Sequence, residues 1–259
     1  ETFPVKNEDE NDYMRTIKYA YLYGKTVTLL PTHNDRTNGV MLRNRRIGLS
    51  QSGIVQGFEK FGRRRYIDNF CDAAYSEIKR WDRIYSEYLV CRESIKVTSV
   101  KPSGTVSLIV GVTPGIHFPE ARSYWRRMRL ATNSPLVKIL RDAGYHVEPD
   151  MKDSENTMVV TFGVEDIGVR PISDVTIWEQ MDNVAAIQHY WADNAVSVTI
   201  QFKPEEAKDI PKILEHYEDR IKAVSFLPHF SHGYAQAPYE EAKKEDVVTY
   251  NAKLSPIDF

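Results

Sequence analysis

Cysteine is nearly absent: the 259 residues hold two, Cys71 and Cys91, with no CxxC pair and no Cys/His cluster around them. That excludes a disulfide scaffold and a zinc finger, and leaves both thiols as buried, reduced side chains on helices. No apolar run approaches the roughly 18 residues that a membrane-crossing helix needs, so no membrane partner is expected. Neither sign of charge dominates. The 34 Lys and Arg stand against 36 Asp and Glu, a formal net charge of -2, and supply no broad positive field for a nucleic acid polymer. No G-x-G-x-x-G follows a strand, which removes the usual dinucleotide fingerprint. Gly48-Leu49-Ser50-Gln51-Ser52-Gly53 spaces its glycines like a Walker A loop, but Ile54-Val55 follows where Lys-Ser/Thr is required. Internal repeats and low-complexity linkers are missing too, so the chain reads as one domain or part of one. The opening Glu1-Thr2-Phe3-Pro4 is neither an initiator methionine nor a signal peptide, and the expectation is a cytoplasmic protein with a segment removed upstream.

What is present suffices for a core: 42% of residues are hydrophobic and 27% charged. Apolar spacings near three and four predict a helix over 7–29, with Asn7 as its cap, and a second over 66–91. Residues 31–38 carry loop formers. Short β candidates occur at 45–50, 97–100, 158–162, 195–202 and 223–227. Further helices are expected over 134–143, ended by Gly144, then from a cap at Asp174 to 190, over 204–217 and over 239–247. Long helices alternating with short strands argue for parallel pairing with crossover helices, hence an α/β fold.

The segment richest in chemistry is Pro102-Ser103-Gly104-Thr105-Val106-Ser107. A glycine between hydroxyl residues after a strand lets backbone amides approach an anion, with Ser103, Thr105 and Ser107 as extra donors; the same run also makes an ordinary turn. His117 sits close by in sequence, either in a site or as a satisfied turn histidine. The arginines at 43/45/46, 63–65 and 122/126/127/129 read as solvated, ion-paired faces. His229 and His232 lack a third ligand nearby and read as loop histidines. Trp178, His189, Tyr190 and Trp191 read as core aromatics, and Asp193-Asn194 as turn formers.

In order along the chain, several runs together resemble the ribonucleotide reductase large-chain family, in its cobalamin-dependent, monomeric triphosphate-reductase branch. They are Glu1-Thr2-Phe3-Pro4, Ala20-Tyr21-Leu22-Tyr23 with Lys25-Thr26-Val27, Arg43-Asn44-Arg45-Arg46-Ile47-Gly48-Leu49-Ser50, and Lys101-Pro102-Ser103-Gly104-Thr105-Val106-Ser107. Gly111-Val112-Thr113-Pro114-Gly115-Ile116-His117, Asp193-Asn194-Ala195-Val196-Ser197-Val198-Thr199 and Ala237-Pro238-Tyr239-Glu240-Glu241 complete the set. The resemblance implies that residues 1–259 are the C-terminal portion of a ten-stranded α/β barrel. It implies adenosylcobalamin as cofactor, a ribonucleoside triphosphate as substrate, a thioredoxin-type reductant, and thiyl-radical chemistry that yields deoxyribonucleotides. On this resemblance the 102–107 run looks like the substrate-phosphate loop, and His189, Asp193 and Asn194 are offered for the cobalamin. The family's Asn-Pro-Cys-x-Glu finger loop does not occur here, Cys71 and Cys91 match no catalytic context, and the chain by itself is expected to be inactive. Alternatives are a class I large-chain fragment, for which a tyrosine pair near the last strand is lacking, and a non-catalytic phosphate-binding module.

Overall fold

A computed structural model describes residues 1–165, 167–229 and 235–257. In chain order the elements are α1 (Glu10–Val27), α2 (Asp35–Asn44), β1 (Arg46–Ser50), α3 (Ile54–Phe61), α4 (Arg63–Arg65), α5 (Ala74–Tyr88), β2 (Lys96–Ser99), α6 (Val106–Ile109), β3 (Tyr124–Ala131), α7 (Pro135–Asp142), β4 (His146–Pro149), β5 (Thr157–Val164), α8 (Ile177–Tyr190), β6 (Thr199–Phe202), α9 (Ile210–Tyr217), β7 (Ser225–Pro228), β8 (Tyr239–Glu241) and α10 (Lys244–Asn251). They divide into two compact units. One comprises Glu1–Phe118 and Thr176–Pro228, the other Pro119–Val175 and His229–Phe259.

The first unit is built on parallel pairing, as alternating strands and helices lead one to expect. β1 pairs with β2 and β6 with β7, both parallel, and single parallel bridges join Thr2 to Gln51 and Val100 to Val196. Only Thr199–Phe202 of the 195–202 strand candidate forms a ladder; the rest approaches β2 through the Val196 bridge. Helices cover the strands with apolar stripes: Tyr13, Ile17 and Tyr21 of α1, Ile78 of α5, and Ile177, Met181 and Val184 of α8 share one core with Val97 and Val100. Burying each such side chain stabilises the fold by about 1.5–3 kcal/mol. Between α4 and α5 the helix widens into a π-helical stretch, Tyr66–Ala73, that sets Tyr66, Phe70 and Cys71 into this core. A Cβ on Gly57 of α3 would lie 2.2 Å from the Tyr66 ring, so that contact requires glycine.

The second unit departs from the α/β expectation. Its four strands run in the order β4-β5-β3-β8 and every pairing is antiparallel. Its buried residues include Tyr124, Val137, Leu140, Val159, Val160 and Val247.

Several boundaries differ from the sequence reading for local reasons. Asp9, not Asn7, caps α1, accepting from Asp12 N at 2.9 Å, while Asn7 donates to Asp12 and Thr16. Thr176, not Asp174, caps α8 through Glu179 N. The loop expected over 31–38 runs into α2, capped by Asn34; no residue of α2 is buried, so no apolar period announced it. Residues 239–247 divide into strand β8 and the start of α10 rather than one helix. Cys71 is a buried free thiol whose ionisation burial pushes up, whereas Cys91 lies past the end of α5.

Candidate functional site

The 102–107 loop follows the carboxyl end of β2, the end of a parallel strand at which α/β folds bind ligands. It is open to solvent: Pro102, Gly104, Thr105 and Val106 are exposed. Ser107 N donates to Ser103 O at 3.1 Å and Leu108 N to Thr105 O at 3.2 Å, closing a turn that leads into the short helix α6. Among the described residues the amides of Gly104, Thr105 and Val106 make no hydrogen bond within the chain. The Ser103 and Ser107 hydroxyl oxygens are buried without a partner. Buried polar atoms are ordinarily paired, so two orphans beside three free amides mark donors without their acceptor. The strain lies where the sequence did not place it. Ser103 adopts φ 52°, rare for a residue with a Cβ, whereas Gly104 lies outside the left-handed region and an added Cβ there meets open space.

His117 belongs to the scaffold. Its Nδ1 lies 3.1 Å from Pro114 O, and its Nε2 accepts from Thr199 N at 3.2 Å, which defines a neutral ring protonated at Nδ1. Burial lowers its pKa, and the Pro114 contact offsets this only in part.

The three residues offered for the cobalamin part company. Asp193 accepts from the Tyr75 hydroxyl and from Val97 N, both at 2.9 Å; burial, then this carboxylate, pushes the Tyr75 phenol up to about 12. Asn194 Nδ2 donates to the carbonyls of Ile47 and Thr98. Both residues thus tie the end of α8 to β1 and β2. His189 is exposed. It lines a cleft of about 1200 Å³ together with Arg63, Arg64, Tyr190, Arg220 and Lys222.

The arginines mostly behave as ion-paired surface. Arg63 pairs with Asp182, Arg64 with Asp68, Arg65 with Glu10, Arg127 with Glu240 and Arg129 with Asp150. Arg45 is the exception: it is buried, and its guanidinium donates to the carbonyls of Lys25 and Thr28. Of the two spaced histidines, His232 lies outside the described residues. Among the described residues no cluster of His, Cys, Asp or Glu could hold a metal ion, and no helix is long and apolar enough to cross a membrane.

No family profile matches the chain. Individual proteins do. An adenosylcobalamin-dependent ribonucleoside-triphosphate reductase from Euglena gracilis is 46% identical over 95% of this chain and 34% of that protein. A probable enzyme of the same name from Dictyostelium discoideum is 44% identical over 100% of the chain and 35% of its own length, and the Levilactobacillus brevis protein is 36% identical over 91% and 35%. The crystal structure of a B12-dependent (class II) ribonucleotide reductase superposes with a TM-score of 0.87 at 32% identity, covering 95% of this chain and 38% of that one. Over nearly its whole length the chain is homologous to class II ribonucleotide reductases. It spans about a third of the length of the curated reductases it matches. The alpha subunit of a class Id reductase from Actinobacillus ureae shares the fold alone, at a TM-score of 0.55 and 14% identity. The balance therefore lies with the cobalamin-dependent branch over the class I alternative.

Proposed function

We propose that this chain serves as the C-terminal portion of the catalytic barrel of an adenosylcobalamin-dependent ribonucleoside-triphosphate reductase, and that residues 102–107 bind the substrate's phosphates. The observation that carries the reading is the group of three unbonded amides, Gly104 to Val106, flanked by the orphaned hydroxyls of Ser103 and Ser107. Successive amides at a turn opening into a helix supply donors where negative charge must sit, without the desolvation cost of a buried cation. The absence of a side chain at Gly104 keeps the approach to those amides clear. The ten-stranded barrel, a thioredoxin-type reductant and a cytoplasmic setting belong to the same reading.

Adenosylcobalamin, when bound, supplies the radical that starts ribonucleotide reduction. Asp193 and Asn194 are tied into the scaffold, the carboxylate accepting from Tyr75 and Val97 N and the Asn194 amide nitrogen donating to Ile47 and Thr98, so neither presents a free side-chain donor toward it. His189 is the exposed one of the three, and one side chain does not make a corrin site. The chain's own residues bind and orient the triphosphate, while Asp193 and Asn194 hold the strands behind the loop.

The test is calorimetric titration of the 259-residue chain with a ribonucleoside triphosphate and, separately, with adenosylcobalamin. Triphosphate binding is expected, and Gly104→Leu should weaken it about tenfold or more with the melting temperature unmoved, since the new side chain points into open space. Equal affinity of the two chains would remove the phosphate assignment. The same chain given triphosphate, cobalamin and dithiol should form no deoxyribonucleotide; turnover would show that the radical cysteine is not the missing part.

A further inference from the structure

Residues 1 and 2 lie alongside the carboxyl end of β1. Thr2 N donates to Ser50 O at 2.7 Å and Ser52 N to Thr2 O at 3.0 Å, a parallel register that brings the Glu1 carboxylate to two fully buried serines. Ser52 Oγ donates to Glu1 Oε1 at 2.5 Å, and Ser50 Oγ donates to the same oxygen at 3.3 Å. A hydroxyl that has given its proton still has lone pairs. Each serine uses one on a backbone amide: Ser50 Oγ accepts from Lys101 N at 2.9 Å, and Ser52 Oγ accepts from Gly115 N at 3.0 Å.

Those two amides stand at the two ends of the segment that carries the 102–107 loop. The far end is held a second time, by Gly53 N on Thr113 O, Ile54 N on Gly115 O and Thr113 N on Gln56 Oε1. The ends also meet each other, since a Cβ on Gly115 would stand 2.7 Å from Lys101 O. The exposed turn between them is closed by its own short-range bonds. Its ends are therefore what tie it to the rest of the unit.

We propose that Glu1, Ser50 and Ser52 are positioning residues for the phosphate loop: one carboxylate oxygen fixes the rotamers of two buried hydroxyls, and these fix the two ends of the loop. This rests on the assignment of residues 102–107 to phosphate binding. Without the carboxylate the hydroxyls are free to turn, and the Lys101 and Gly115 amides lose their acceptors.

The test compares Glu1→Ala, Glu1→Gln and the double variant Ser50→Ala/Ser52→Ala in the 259-residue chain. The readouts are amide hydrogen exchange at Lys101 and Gly115 and affinity for inorganic tripolyphosphate, with the melting temperature as a check on folding. Glu1→Ala should speed exchange at both amides about tenfold and weaken tripolyphosphate binding in step. Glu1→Gln keeps an acceptor oxygen and should restore both readouts. Unchanged exchange in Glu1→Ala, or a glutamine variant as disturbed as the alanine one, would overturn the proposal. Should the serine double variant fail to fold, the two Glu1 variants decide. Exchange that follows the expected order in a chain that binds no tripolyphosphate would retain the brace and remove the phosphate role of the loop.

Discussion

Lys25 sits near the end of α1 with its ammonium wholly out of water, against the equally buried carboxylate of Asp82. Tyr21 and Ser94 hydroxyls complete the cluster, each donating to Asp82 Oδ1, while Ser94 N donates to Oδ2. Burial pushes the Asp82 carboxyl up, but the bonds from Lys25, Tyr21 and Ser94 outweigh it and hold the group below its ordinary 3.8. A depressed folded value means that this stabilisation is complete above 3.8 and is lost as pH falls through the folded value. Lys25→Met leaves the carboxylate buried and unpaired and should cost about 3–5 kcal/mol in a urea titration at pH 7, whereas Lys25→Met combined with Asp82→Leu should recover most of the loss. A single variant with wild-type stability would show that the pair contributes nothing. The sequence carried a signal for it: Tyr13, Ile17, Tyr21 and Lys25 are four apart, so the lysine falls on the buried face of its helix. Ser103 and Ser107 stood out as candidate phosphate donors from residue type, but the left-handed backbone at Ser103 was not legible, because glycine next to it is the residue that ordinarily takes that conformation.

Elements with a one-sided apolar pattern were legible, and those without one were not. α5 buries a regular face and was read from spacing, α8 was read from a cap, and β1, β2 and β5 were read as short β candidates. β3 was read only as a basic stretch, because Arg126, Arg127 and Arg129 occupy its middle; in the folded sheet Arg127 pairs with Glu240, Arg129 pairs with Asp150 and Arg126 stacks on Tyr239. Cross-strand partners so distant in sequence leave no local trace, which is why β8 also went unseen. The π-helical stretch was likewise hidden, since its apolar residues still fit a helical period. It can be probed through its neighbour α3. Gly57→Ala drives a methyl group into the Tyr66 ring and should destabilise the chain by about 1–3 kcal/mol in chemical denaturation. Wild-type stability would mean that the ring moves aside without loss.

For the whole molecule, the parallel character of the first unit followed from the alternation of strands and helices, while the antiparallel second unit required knowledge of which distant strands meet. The site divided in the same way. The candidate phosphate loop is a contiguous run and was proposed from its own residues; the bonds of Asp193 and Asn194 to Tyr75, Ile47, Val97 and Thr98 join positions far away in sequence, so the part these two play in the scaffold was not legible. In the proposed function, three backbone amides of the loop grip the phosphates of a ribonucleotide. Its most direct test is the amide spectrum of the isotopically labelled chain during titration with a ribonucleoside triphosphate. The resonances of Gly104, Thr105 and Val106 should move first and furthest, whereas shifts confined to residues around the His189 cleft, or none at all, would contradict the account.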